Sequence, residues 1–114
     1  MKMNVKNIER ILDVLQFAVD HRGQTFMDDD VYKACPKATS NIIDLLADRD
    51  VITSTKDGNS FDDENIEEYR SFLSDLEDEI EELKMSDEEK KDIQIRFQTH
   101  LNSNINLLNI DAGF

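Results

Sequence analysis

Apolar residues at Ile8, Ile11, Leu12, Leu15, Ala18 and Val19 recur at the three-and-four spacing of a single helical stripe. They predict an amphipathic helix over 5–22, with Gly23 as a left-handed stop after His21 and Arg22. Thr25-Phe26 reads as a short extended link. Asp28, Asp29 and Asp30 are then N-cap candidates for a short helix near 29–35 that turns Val31, Tyr32 and Ala34 inward. Pro36 marks the boundary, because its ring disfavours the helical region for Cys35. A third helix is predicted at about 37–49 on Ile42, Ile43, Leu45 and Leu46. Asp50 stands where the chain must leave that helix. Val51-Ile52-Thr53-Ser54-Thr55 is rich in β-branched residues and reads as a strand. Lys56-Asp57-Gly58-Asn59 is a hairpin turn signal of the primed type, and Ser60-Phe61 begins the return strand.

From Asp62 the pattern changes. Ile66, Tyr69, Leu73, Leu76, Ile80 and Leu83 follow one another at intervals of 3, 4, 3, 4 and 3, an a/d seam sustained over nearly three heptads. Phe72 widens it. Ser86 with Glu89 forms a capping-box signal that restarts a helix after a short break near Met85. The last helix is predicted to run to about 108 on Ile93, Phe97, Leu101, Ile105 and Leu108. Two long helices joined by so short a break form an antiparallel hairpin. The expected architecture is therefore mainly α, with three helices and a β-hairpin over 1–61 followed by an acidic helical hairpin over 62–114.

Charge divides the chain at the same place. Residues 1–61 carry 8 Lys/Arg and 10 Asp/Glu, whereas 62–114 carry 5 Lys/Arg and 16 Asp/Glu. The second half repels phosphate, so any nucleic-acid contact has to come from the first half. The 114 residues bound the molecule to one domain, or one small domain with an appended element. Cys35 is the only cysteine, which excludes an internal disulfide and fits a reducing cytoplasm. The N-terminal residues form no apolar signal core, and no apolar run is long enough to span a bilayer.

The segment from Asp30 through Lys37, Thr39, Ser40 and Asn41 to Val51-Ile52 resembles the winged helix-turn-helix family over roughly residues 5–61. A small polar cluster opens what would be the recognition helix, Ile43 and Leu46 pin it to the core, and two apolar strand residues lead to the wing. The family usually places Gly or Asn where Asp50 stands. Its DNA-binding members set Arg or Lys along a face that here also carries Asp44 and Asp48. The resemblance implies a small cytoplasmic transcriptional regulator. Lys37, Thr39, Ser40 and Asn41 would meet base edges or phosphates, with Lys33 and Lys56 on flanking phosphate. Such a regulator would work as a homodimer, and the seam of Ile66, Tyr69, Leu73, Leu76, Ile80 and Leu83 is the predicted dimerisation element. The competing use of that seam is intramolecular packing.

The close rival, from a different class, is an acidic protein-binding inhibitor or adaptor. Residues 62–89 hold 14 acids against 2 bases. Glu67, Glu68, Asp75, Glu77, Asp78, Glu79, Glu81 and Glu82 can line a helix as a mimic of the DNA backbone and occupy a basic groove of a nucleic-acid-binding protein. Small acidic inhibitors of phage or mobile elements are similar. Ordinary solvation of a helix face and a high-salt host are the plainer accounts of the same run. His21 and His100 have no Cys or His neighbours at ligand spacing, so no metal is expected. The acid clusters at 28–30 and 62–64 read as helix starts and not as catalytic dyads. With no phosphate loop and no nucleophile elbow, neither a cofactor nor an enzymatic activity is expected.

Overall fold

The computed structural model describes residues 3–109. Helix α1 spans Val5–Asp20, with Asn4 as its N-cap; the Asn4 Oδ1 accepts from the Asn7 N–H at 2.9 Å. Its predicted stripe is buried, with Ile8 and Ile11 fully inaccessible. The helix stops two residues before the predicted end. The His21 ring turns back onto its own helix, with Nδ1 2.8 Å from the Phe17 carbonyl oxygen and the ring stacked on Phe17. Gly23 then takes the left-handed φ of 81°.

Thr25–Phe26 is a strand, β1, and not a free link. It pairs antiparallel with β3 (Gly58–Ser60), which in turn pairs with β2 (Thr53–Thr55), giving the order β1-β3-β2. Two residues are too few to show the alternation from which a strand is read, so only the partner reveals it. The hairpin turn also differs from the expected one. Thr55 faces Gly58 in the register, which leaves Lys56 and Asp57 as the two central residues. Neither has positive φ, so the turn is not primed; Gly58, with φ 128°, takes up the unusual conformation at the start of β3. A Cβ there would stand 2.8 Å from the Thr25 Cγ2, so glycine also permits β1 to lie close.

Helix α2 is Asp28–Ala34, and α3 is Ser40–Asp48. Val31 is buried, Tyr32 half-buried and Ala34 exposed, so α2 presents a narrower inner face than predicted. Cys35, with φ −126° and ψ 78°, lies outside the helical region ahead of Pro36, and the Ala38 N–H closes a turn on the Cys35 carbonyl at 2.9 Å. That turn delays α3 to Ser40 and leaves Lys37 off the helix. The end of α3 follows the sequence closely. Asp50 adopts φ 59°, the Val51 N–H reaches the Leu46 carbonyl at 2.9 Å, and the Asp50 N–H reaches that of Ala47 at 3.0 Å. This is a Schellman ending built on a residue other than glycine. Asp50→Gly is therefore expected to raise stability by about 0.5–1 kcal/mol through relief of the left-handed backbone. The check is the urea midpoint at constant m-value; a lower midpoint would show that the aspartate side chain itself holds the turn.

A single 3-10 turn at Asp63–Asn65 leads into α4 (Ile66–Glu81), followed by α5 (Asp87–Ser103) and α6 (Ile105–Leu108). The Ser86 Oγ accepts from the Glu89 N–H at 3.2 Å, as its spacing predicts. The predicted last helix is broken at Asn104, whose side-chain amide donates to the His100 carbonyl at 2.7 Å and to the Gln16 Oε1 at 2.9 Å. An asparagine that supplies its own hydrogen bonds competes with the helical ladder. The break rotates the register, so Leu107 is buried and Ile105 is 49% exposed.

The C-terminal helices are built onto the first half. α5 packs against both α1 and α4, and one apolar core runs from Ile8 through Phe61 and Tyr69 to Phe97 and Leu107. Arg96 pairs with Asp13 at 3.2 Å and Arg49 with Asp75 at 2.6 Å, tying α5 to α1 and the end of α3 to α4. No helix among the described residues is long and apolar enough to cross a membrane.

Candidate functional site

The seam expected to join two copies is occupied within the single chain. Ile66 and Tyr69 are inaccessible, Leu73, Leu76 and Ile80 are at most 3% exposed, and Leu83 is half-buried. Heptad spacing specifies an apolar stripe but not its partner. Here the rest of the same chain supplies the partner surface, because a two-helix hairpin cannot cover both of its own stripes. Apart from half-buried Leu83, the predicted dimerisation residues are therefore covered within the chain.

All six residues predicted to meet DNA are exposed: Lys33, Lys37, Thr39, Ser40, Asn41 and Lys56. Thr39 is the N-cap of α3, and Ser40 and Asn41 form its first turn. The exposed line of that helix continues from Ser40 to Asp44 and Asp48, four residues apart, so its outward face ends in carboxylates. The three lysines do not converge. Lys33 lines a groove with Phe17, His21 and Asp30. Lys56 lines a cleft with Asp28 and Asp29, where the Asn59 amide donates to the Asp28 Oδ1 at 2.7 Å. Lys37 lies elsewhere, in a groove of about 370 Å³ with Lys6, Glu9, Arg10, Asp13 and Arg96.

The acidic face is more coherent. Glu67, Glu68, Asp75, Glu77, Asp78, Glu79 and Glu81 are all exposed on α4, as is Glu82 at its C-cap, while the opposite face of the helix is buried. Among the described residues only Asp75 of these eight is in an ion pair, with Arg49, whose guanidinium also sits 5.2 Å from the Phe72 ring centroid. Seven carboxylates thus stand free along one 16-residue helix and its cap. The first turn of α5 adds Asp87, Glu88 and Glu89 beyond the connecting loop.

Sequence reasoning missed the cations around Lys37. Lys6 and Arg10 are four apart on the polar side of α1, which is a legible signal. Arg96 comes from α5, and nothing in the linear pattern brings it there. The histidines hold no metal-type arrangement, and among the described residues no group of three or more His, Cys, Asp or Glu side chains is placed to bind an ion. His100 is buried with its Nε2 2.6 Å from the Tyr69 hydroxyl. Burial pushes the Tyr69 hydroxyl up and lowers His100 to about 4, against the opposing pull of Asp20. The Cys35 thiol is also pushed up, by burial and then by Asp13. Comparison of the chain with protein-family models, with curated proteins and with solved structures found no match.

Proposed function

We propose that this chain is a protein-binding module of winged helix-turn-helix architecture, acting as an adaptor or inhibitor whose α4 carboxylates occupy the basic surface of a nucleic-acid-binding protein. The order helix, strand, helix, helix, hairpin, with β1 paired to the return strand of the hairpin, supports the winged-helix assignment. So does the left-handed Asp50 between α3 and the wing.

The single observation that carries the functional reading is the row of free, exposed carboxylates on α4. Carried on one helix, they present a single sign of charge to a complementary basic surface, which favours fast, salt-sensitive encounter. A DNA regulator is less well served by this geometry. Its lysines line three different grooves, Lys56 lies beside two aspartates, and α3 presents Asp44 and Asp48. Reversing Glu77, Glu79, Glu81 and Glu82 to Lys is expected to abolish capture of nucleic-acid-binding proteins from host extract while the circular-dichroism spectrum stays helical. The same chain added to a captured partner should release that partner's DNA. Capture that survives the reversal overturns the proposal.

A further inference from the structure

We propose that the groove between α1, the α2–α3 turn and α5 is a phosphate-binding site for ligands that present two or more phosphate groups. This site is independent of the α4 surface and would stand if the α4 reading failed. Four cations line the groove: Lys6 and Arg10 of α1, Lys37 of the turn and Arg96 of α5. Against them stand only Glu9 and Asp13, on a chain whose net charge is −13.

Asp13 is committed to Arg96, with Oδ1 3.2 Å from Nη2. Lys6, Arg10 and Lys37 make no side-chain ion pair or hydrogen bond among the described residues. Arg10, Asp13 and Lys37 also line the adjoining groove with Cys35, Pro36 and Ala38, so the two grooves share these side chains. Acids outnumber bases two to one in this sequence, with 26 Asp/Glu to 13 Lys/Arg, so neutralising partners for these cations were plentiful. The fold nevertheless gathers cations from three separate elements and leaves three unpaired, an arrangement that repels itself when empty and is relieved by an anion.

The charge pattern selects phosphate over a carboxylate. With Arg96 paired to Asp13, Lys6, Arg10 and Lys37 against Glu9 leave an excess of two positive charges, of which one carboxylate would offset only one. A phosphate monoester carries about −1.5 to −2 at neutral pH and three strong acceptor oxygens. Arg10 offers the planar donor fork that matches phosphate oxygens, and Lys6 and Lys37 act as point charges. Two sources share this chemistry: the phosphate chain of a nucleotide, and adjacent phosphodiesters of a single nucleic-acid strand.

The test is an amide-shift titration of the full ¹⁵N-labelled chain at low salt, with inorganic triphosphate in one arm and a short oligothymidylate in the other. Shifts should centre on Lys6, Arg10, Lys37 and Arg96. Arg10→Glu and Lys37→Glu should each weaken binding by about tenfold or more, with Lys37→Gln acting in the same direction, and the amide spectrum confirms that each variant is folded. Lys56→Glu makes the same charge change on another groove and should alter affinity less than about twofold. Tighter binding of triphosphate assigns the nucleotide source. Tighter binding of the oligothymidylate, with a salt slope that becomes shallower by roughly 0.7 for each phosphate-facing cation removed, assigns the strand. No shifts at low-millimolar probe, shifts centred on Lys33 or Lys56, or equal weakening by Lys56→Glu overturns the site.

Discussion

Asn65→Ala is expected to destabilise the fold by about 3 kcal/mol and to free the β2–β3 hairpin from the start of α4. Asn65 is 3% exposed and uses both ends of its amide. Its Oδ1 accepts from the Asp62 N–H at 2.9 Å, and its Nδ2 donates to the Asp50 carbonyl at 3.0 Å and the Thr53 Oγ1 at 3.2 Å. One side chain thus joins the left-handed turn after α3, the first wing strand and the start of α4. Truncation strands a donor and two acceptors, and each stranded group that stays buried costs about 1–3 kcal/mol. Asp50 is exposed and recovers a bond to water, which keeps the total below the sum of the three. Asn65→Asp separates this account from simple loss of volume. It keeps the acceptor for the Asp62 N–H but turns a carboxylate oxygen toward the Asp50 carbonyl, so at neutral pH it should cost at least as much as alanine. Urea unfolding reads both; a loss under about 0.5 kcal/mol for Asn65→Ala would mean that the three bonds contribute nothing net.

Acidification is expected to remove about 3 kcal/mol of stability between pH 6.5 and about 4 through His100 alone. Burial lowers this imidazole from 6.5 to about 4 in the folded chain. The unfolded chain takes up its proton near 6.5 and the folded chain only near 4, so within that window the unfolded state binds more protons and stability rises with pH. The contribution is complete above the unfolded value, is lost as pH falls through the window, and is gone below the folded value. Burial holds the imidazole neutral, and its Nε2 meets the Tyr69 hydroxyl at 2.6 Å, with Tyr69 set edge-on to both His100 and Phe61. His100→Gln keeps a partner for the hydroxyl and cannot titrate, so it should flatten the stability profile across the window. Tyr69→Phe should leave the titration but cost about 1–2 kcal/mol at neutral pH by stranding the ring nitrogen. An NMR titration of the His100 ring gives the folded value directly, and a midpoint at or above the ordinary histidine value would refute the assignment.

Local chemistry was legible where its cause lies within a few residues. The α1 stripe, the Ser86 cap and the proline boundary after Cys35 each depend on neighbours in the chain, and each is found at or near its predicted place. Misreadings begin where a distant segment intervenes. β1 is a strand only because β3 pairs with it, and Asn104 breaks the last helix with its amide held by Gln16 of α1. The candidate surfaces divide in the same way. The α4 carboxylates could be placed on one face from spacing alone, since helical periodicity sets that face. The groove at Lys37 could not, because its cations meet only after α5 has docked on α1.

By itself the amino-acid order determined which residues form helices, where most of them end, and that the second half would present carboxylate to its surroundings. These follow from backbone preference, hydrophobic period and charge, all of which act over short stretches of chain. The tertiary structure alone decided what covers the heptad seam, which lysines stand together, and that His100 is sealed against Tyr69. An apolar stripe is satisfied equally by any complementary apolar surface, and like charges far apart in sequence become neighbours only through the packing of the elements that carry them.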